Sequence, residues 1–265
     1  MDKHLEFNTL NAIRLFSDHL PEIKKESLIF HIPHSSVEIP DDTGYISKGL
    51  LLHEIELTTD FYTNDIFNVP DTTKLIAGFS RVFCDVERLK DNDEPLFKDG
   101  KGYFYTKADS GHQLRNIANR NKLNIYRNYY LKHHKALKAL VKSKLLKFET
   151  ATIIDCHSFN NIPLKQDHDQ SIDRPDICLG IDNYHTPIGL IDQCVSHFTD
   201  LGYSVKINSP YSGTIVPLNY YLKNQNVFSI MIEINKDLYM KNNMKDILAI
   251  GKLNREIVDL FENFK

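Results

Sequence analysis

Along this chain, short apolar runs alternate with longer stretches whose apolar positions recur at helical spacing. The runs at Leu28–Ile32, Lys74–Ala77, Arg81–Val86, Thr152–Asp155, Ile177–Ile181, Tyr203–Ile207 and Val227–Ile234 predict strands. Helical periodicity predicts helices over Lys48–Phe67, His112–Lys147 with one break, Pro187–Leu201 and most of Lys236–Phe264. Residues 1–27 read as a leader with a short helix near Asn11–His19 that Pro21 stops. Strands keep alternating with helices, without a low-complexity linker or an internal repeat. That order predicts one α/β domain over residues 28–265, with a largely parallel sheet and helices on both faces.

Two of the apolar runs end in polar chemistry. Thr152–Asp155 continues through Cys156, His157 and Ser158, and Leu28–Ile32 continues through Pro33, His34, Ser35 and Ser36. In a strand, Asp155 and His157 share one side, and Cys156 lies on the other with Ile154. Ligands of open α/β sheets collect at the carboxyl ends of strands, so both runs point to one shared site. Glu233 sits within the apolar run Val227–Ile234, where a buried charge demands a partner; it is either half of a structural ion pair or a general base.

The predicted helix Lys48–Phe67 carries His53, Glu56 and Asp60 at spacings that share a face. A solvated face is the plain reading of that row. A catalytic metal takes about three ligands from His, Asp or Glu and keeps one position open. His34, His157 and one carboxylate of the helix, Glu56 or Asp60, would supply such a set.

Other chemistry lacks its signatures. There is no G-x-S-x-G elbow, phosphate-binding Walker pattern or G-x-G-x-x-G. Metal-activated water is then the most economical chemistry. Asp91–Lys107 is a long loop rich in Asp, Gly, Lys and aromatics, of a length often used in lids or binding loops.

Composition changes this picture little. The 265 residues are 42% hydrophobic and 25% charged, with a formal net charge of -3, which gives no reason to expect nucleic acid or an anionic membrane as partner. The lysines and arginines of His112–Lys147 alternate with apolar positions, as on a solvated amphipathic helix. No apolar run approaches the roughly 18 residues that span a bilayer. None of Cys84, Cys156, Cys178 and Cys194 forms a CxxC pair; the first three lie in apolar runs, and packing is the expected role of those three. The first residues lack the basic start and apolar core of a signal peptide, so a cytoplasmic, reducing location is expected.

Landmarks in a fixed order narrow the reading. They are Ile32-Pro-His-Ser35, Thr59-Asp60, Ser80-Arg-Val-Phe-Cys-Asp-Val-Glu-Arg88, Asp93-Glu94, Gly102-Tyr-Phe-Tyr-Thr106, Tyr130-Leu-Lys-His-His134, Asp155-Cys-His-Ser158, Pro210-Tyr-Ser-Gly213 and Ile232-Glu-Ile-Asn-Lys-Asp-Leu-Tyr239. Each is weak alone. Together, from Leu28 to Met240, they resemble the N-formylglutamate amidohydrolase family.

That resemblance implies a three-layer α/β/α domain with a central mixed sheet, related in fold to zinc carboxypeptidases. It implies one Zn2+ ion on His34, Asp60 and His157, with Glu233 as the acid/base residue. Asp155 would support His157 or a neighbouring group. The expected substrate is a small N-acyl amino acid with carboxylates, best N-formyl-L-glutamate. Arg81 and Arg88, and less directly Arg115, would bind its carboxylates. His134 would polarise the carbonyl or protonate the leaving group.

Two positions depart from the family's usual pattern. His34-Ser-Ser36 stands where His-Ser-Gly is common, and Asp85-Val-Glu-Arg88 stands where Asp-Xaa-Asn-Arg is common; Glu87 bears on substrate choice. A zinc carboxypeptidase-like or deacylase enzyme with another N-acyl substrate and a non-catalytic protein that binds amino-acid derivatives are the alternatives. A homo-oligomer is left open.

Overall fold

The computed structural model describes residues 23–90, 93–116, 119–241, 244–262 and 264, so the expected helix near Asn11–His19 lies outside the described residues. The strands β1 (Leu28–Ile32), β2 (Thr73–Ile76), β3 (Ala151–Phe159), β4 (Ile177–Gly180), β5 (Val205–Ile207) and β6 (Val227–Asn235) form one sheet in the order β2-β1-β3-β6-β4-β5. β2, β1, β3 and β6 are mutually parallel, β4 runs antiparallel to β6, and β5 is parallel to β4. The sheet is mixed and mostly parallel, flanked by helices, as expected.

Alternation along the strands sorts the core into two. Leu28, Phe30 and Ile32, with Ile154, Cys156, Ile230, Ile232 and Ile234, line one face. Against them pack Ile66 of α2 (Thr63–Ile66), Leu190, Cys194 and Phe198 of α5 (Ile188–Asp200), and Leu253, Ile257, Leu260 and Phe261 of α6 (Ile247–Glu262). The opposite parity, Ile29, Ala151, Ile153 and Val227, packs under Leu137 and Val141 of α4 (Leu131–Phe148). Cys156 belongs to the first core, and all four cysteines are buried free thiols.

Several expected elements take another form. Lys48–Phe67 is not one helix: α1 (Lys48–Thr58) stops, and α2 begins after Tyr62, which has φ 63°. The hydroxyls of Thr58 and Thr59 donate to the carbonyls of Glu54 and Ile55 at 2.8 and 2.6 Å, a back-bonding that competes with continued helix. Arg81–Val86 is a run of turns rather than a strand. Ser80 accepts from the amides of Val82, Phe83 and Cys84, which curls the backbone away from any ladder.

The long helix starts within the described residues as α3 (Asn119–Ile125), passes through a π turn at Tyr126–Tyr130 and continues as α4. The chain after β6 is a 3-10 turn and the hairpin β7 (Met240–Lys241) and β8 (Met244–Lys245) before α6 begins. The loop Asp91–Lys107 is held down: Tyr103, Phe104 and Tyr105 are buried in it. Among the described residues no helix is long and apolar enough to cross a membrane.

Candidate active site

The polar ends of the strands meet because of register. β1 pairs His31 with Asp155, and β3 pairs His157 with Glu233. Asp155 and His157 are two residues apart on the same strand, so all four side chains leave the sheet on one face. This is also the face that carries Ile29, Ile153 and Val227 closer to the strand starts. The cleft above them has a volume of about 710 Å3 and is lined by His34, Asp60, Arg81, Glu87, Arg88, Asp155, His157, Glu233 and Lys236 among others.

His34 follows β1, and its carbonyl accepts from the Asp60 amide at 3.0 Å, so the break after α1 carries Asp60 to it. Asp60 is therefore past the helix end and not on one helical face with His53 and Glu56, which are both exposed. The Asp60 carboxylate oxygen Oδ2 lies 3.6 Å from His34 Nδ1 and 3.1 Å from His157 Nδ1. Glu87 enters from the turns after Arg81; its Oε2 lies 3.6 Å from His34 Nδ1 and 3.2 Å from His157 Nε2. Glu87, His34 and His157 offer ligand atoms that all lie within 4.8 Å of one another.

The opposite nitrogens are also engaged. His34 Nε2 meets Asp85 Oδ1 at 3.0 Å, and His157 Nε2 meets Asp155 Oδ1 at 3.1 Å. Asp155 has a second imidazole, His31 Nδ1 at 2.8 Å, and its Oδ2 accepts from the Ile215 amide at 3.2 Å. His31 Nε2 reaches His133 Nε2 at 2.8 Å. Asp85 Oδ2 accepts from Arg81 Nε and Nη2 at 3.2 and 3.0 Å and from the Tyr105 hydroxyl at 2.8 Å.

These placements shift the titrations. Burial disfavours the His157 imidazolium, but Glu87, Asp155 and Asp60 outweigh it and raise its pKa well above the usual value. His34 is raised in the same way, Asp85 and Glu87 prevailing over burial and Arg81. Burial works against the Asp60 carboxylate, yet His157 and His34 hold it well below the usual range. Glu233 goes the other way: burial, reinforced by Asp60 and Glu87 against His157 and Arg81, pushes it up to about 8. The site thus gathers four carboxylates, Asp60, Asp85, Glu87 and Asp155, around two imidazoles and favours positive charge between them.

The residues fit a divalent cation. His34 Nδ1 and Glu87 Oε1 are buried atoms without a hydrogen-bond partner. The nitrogen–oxygen separations of 3.1–3.6 Å bracket the spacing of about 3.3 Å kept by two ligands on one tetrahedral ion. With Nε2 of each imidazole turned to a carboxylate, both Nδ1 atoms face Asp60, the arrangement in which an outer carboxylate fixes a ligand's tautomer. Glu87 would replace Asp60 as the third ligand only for an ion on His157 Nε2, the nitrogen it reaches.

Of the other expected site residues, Arg81 and Arg88 line the cleft, and Arg88 Nη1 donates to Glu94 at 3.3 Å. Arg115 does not reach it. Its buried guanidinium lies over the Phe104 ring at 3.4 Å and donates to the Tyr45 hydroxyl and the Phe83 carbonyl, clamping loops together. His134 also lies off the cleft lining, 4.3 Å ring to ring from Tyr130, with burial pushing its pKa down to about 4. Its neighbour His133 is the one that turns toward the site.

Sequence reading passed over His31, His133, Asp85 and Lys236, and treated Glu87 only as a departure from pattern. The available signal was His31 in β1, on the same strand parity as the site. Its meaning depends on a register with β3 that no local pattern states.

No curated protein matches the chain. Among solved structures it is similar to N-formylglutamate amidohydrolase from Ralstonia eutropha, with 24% identity and a TM-score of 0.76 over 91% of this chain and 94% of that one. It is also similar to a gene product of Agrobacterium tumefaciens, with 16% identity and a TM-score of 0.60 over 90% and 92% of the two chains. At these identities the likeness speaks to the fold. The family model of N-formylglutamate amidohydrolase matches residues 26–240, nearly the whole span from β1 to β7. The chain belongs to the N-formylglutamate amidohydrolase family.

Proposed function

We propose that this protein is a zinc-dependent hydrolase that cleaves the amide of a small N-acyl amino acid bearing carboxylates. N-Formyl-L-glutamate, giving formate and L-glutamate, is the preferred substrate. The observation that carries the reading is the convergence of His34, His157 and Asp60 beside Glu233 in one cleft. Family membership supports the amide chemistry.

His34, Asp60 and His157 would hold the ion, with Glu87 the competing carboxylate. A divalent cation held there supplies Lewis acidity, polarising an amide carbonyl and acidifying water. Glu233, ionised, takes the proton from water and returns it to the leaving amine nitrogen. Its neighbour across the ladder, His157, and Arg81 favour that ionised form against burial. Asp85 and Asp155 keep the imidazoles oriented. Arg88, paired to Glu94 through Nη1 and lying 3.8 Å from Asp85 through Nε, would offer its remaining donors to a substrate carboxylate.

A second reading keeps the chemistry and changes the acyl group. The cleft of about 710 Å3 has room for an N-acyl amino acid larger than N-formyl-L-glutamate, which leaves space for a deacylase. A formate- and amine-release assay over a panel of N-acyl amino acids, with metal analysis, separates the two. The expected result is formate release from N-formyl-L-glutamate that a chelator abolishes and zinc restores. Full activity in rigorously metal-free protein, or in His157→Ala, would overturn the mechanism.

A further inference from the structure

Four Lys or Arg side chains line the cleft: Arg81, Arg88, Lys101 and Lys236. Three of them already have a carboxylate of the protein as partner, Arg81 with Asp85, Arg88 with Glu94 through Nη1, and Lys101 with Glu54. Lys236 differs. Among the described residues no carboxylate lies within ion-pair distance of it, and its Nζ donates to the Asn160 side-chain oxygen at 3.0 Å. The residue is 8% exposed.

A buried ammonium satisfied by one neutral amide oxygen has left water without an opposite charge in return, a costly arrangement unless an anion completes it. Burial accordingly pushes its pKa down; Asp60 and Glu233 pull it back from longer range, and Arg81 opposes them. Its position is also built rather than incidental. Lys236 opens the 3-10 turn directly after β6, three residues beyond Glu233, and Asn160 directly follows β3. The Asn160 amide group donates to the Leu57 carbonyl at 2.9 Å, which turns its oxygen toward the lysine.

We propose that Lys236 anchors a carboxylate of the substrate and selects N-acyl amino acids whose side chain carries a second carboxylate. The substrate half of this statement rests on the reading of the cleft as an N-acyl amino acid hydrolase. In that reading Arg88 takes one carboxylate and Lys236 the other. A neutral side chain would leave the ammonium buried and unpaired, and such unpaired groups are what let a polar site reject an analogue.

The test uses the metal-loaded full chain and two probes, glutarate and butyrate, by titration calorimetry, alongside kinetics on N-formyl-L-glutamate and N-formyl-L-glutamine. Lys236→Met should weaken glutarate binding by roughly 10- to 100-fold, the range for a charge-assisted contact, and erase the preference over butyrate. The same variant should lose the preference for glutamate over glutamine chiefly through KM, and Lys236→Arg should keep much of it. Should Lys236→Met fail to fold, Asn160→Asp gives the ammonium a carboxylate partner and must also weaken glutarate. Wild-type protein that shows no glutarate preference, or variants that retain it, overturns the proposal. Turnover with unchanged preference in Lys236→Met sinks this inference alone. A lost glutarate preference in a protein that hydrolyses no N-acyl amino acid sinks the enzymatic reading and leaves the anion site standing.

Discussion

One face of the central sheet has two halves built by the same strands. Near the strand starts, Ile29, Ile153 and Val227 lie under Leu137 and Val141 of α4 and exclude water. Two to six residues further along, His31, Asp155, His157 and Glu233 occupy the same alternating positions beneath an open cleft. Backbone geometry is shared, so side-chain chemistry and covering layer make the difference. The apolar half needs only complementary volume. The polar half needs partners for its buried donors and acceptors, and most of them are supplied by a network running from His133 through His31 and Asp155 to His157. The first half holds strands in the register on which the second depends.

The sharpest way to break this comparison is Glu233→Gln. It preserves shape and removes the proton acceptor, so kcat should fall by roughly 10²- to 10⁴-fold. Zinc content, measured by atomic absorption, should persist, since Glu233 is not placed among the ligands. Loss of the metal together with activity would show that Glu233 belongs to the ligand set.

The next effect is a titration. In metal-free protein with 13C-labelled glutamate carboxyls, the Glu233 signal should titrate near 8, far above the ordinary 4.5, because burial penalises its charge. The acid is then protonated between those two values and ionised above them. Zinc should move the midpoint down, as a nearby cation favours the carboxylate. An ordinary midpoint in the metal-free state contradicts the buried placement.

A smaller effect probes the apolar half. Ile153→Ala removes a fully buried side chain and should lower stability by about 2–4 kcal/mol in chemical denaturation. Folded variant should retain zinc binding if the two halves are separable. A fully stable variant with a lost metal site would reverse the roles assigned to them.

Much of the sheet was legible in the chain. β1, β3 and β6 announced themselves as apolar runs, and Cys156 fell on the core side by alternation alone. The site was partly legible: His34, Asp60, His157, Asp155 and Glu233 do meet in one cleft. Local pattern misled where side chains bond to nearby backbone. Thr58 and Thr59 end α1, and Ser80 curls Arg81–Val86 into turns, although each stretch carries the periodicity of a longer element. Arg115 and His134 had suitable chemistry, but packing directed one against Phe104 and the other against Tyr130.

By itself the sequence determined which residues could be core, which strands could end in polar chemistry, and the family. The first two follow from period and residue type, which are local; the family follows from the resemblance of its landmark motifs in their order. Only the tertiary structure decided that His31 lies beside Asp155, that Glu87 reaches His34 and His157, and that Lys236 is left without a carboxylate. These are relations between segments far apart in the chain, set by parallel register and by the covering loops. A one-residue slip in that register would turn each of these strand residues to the other face.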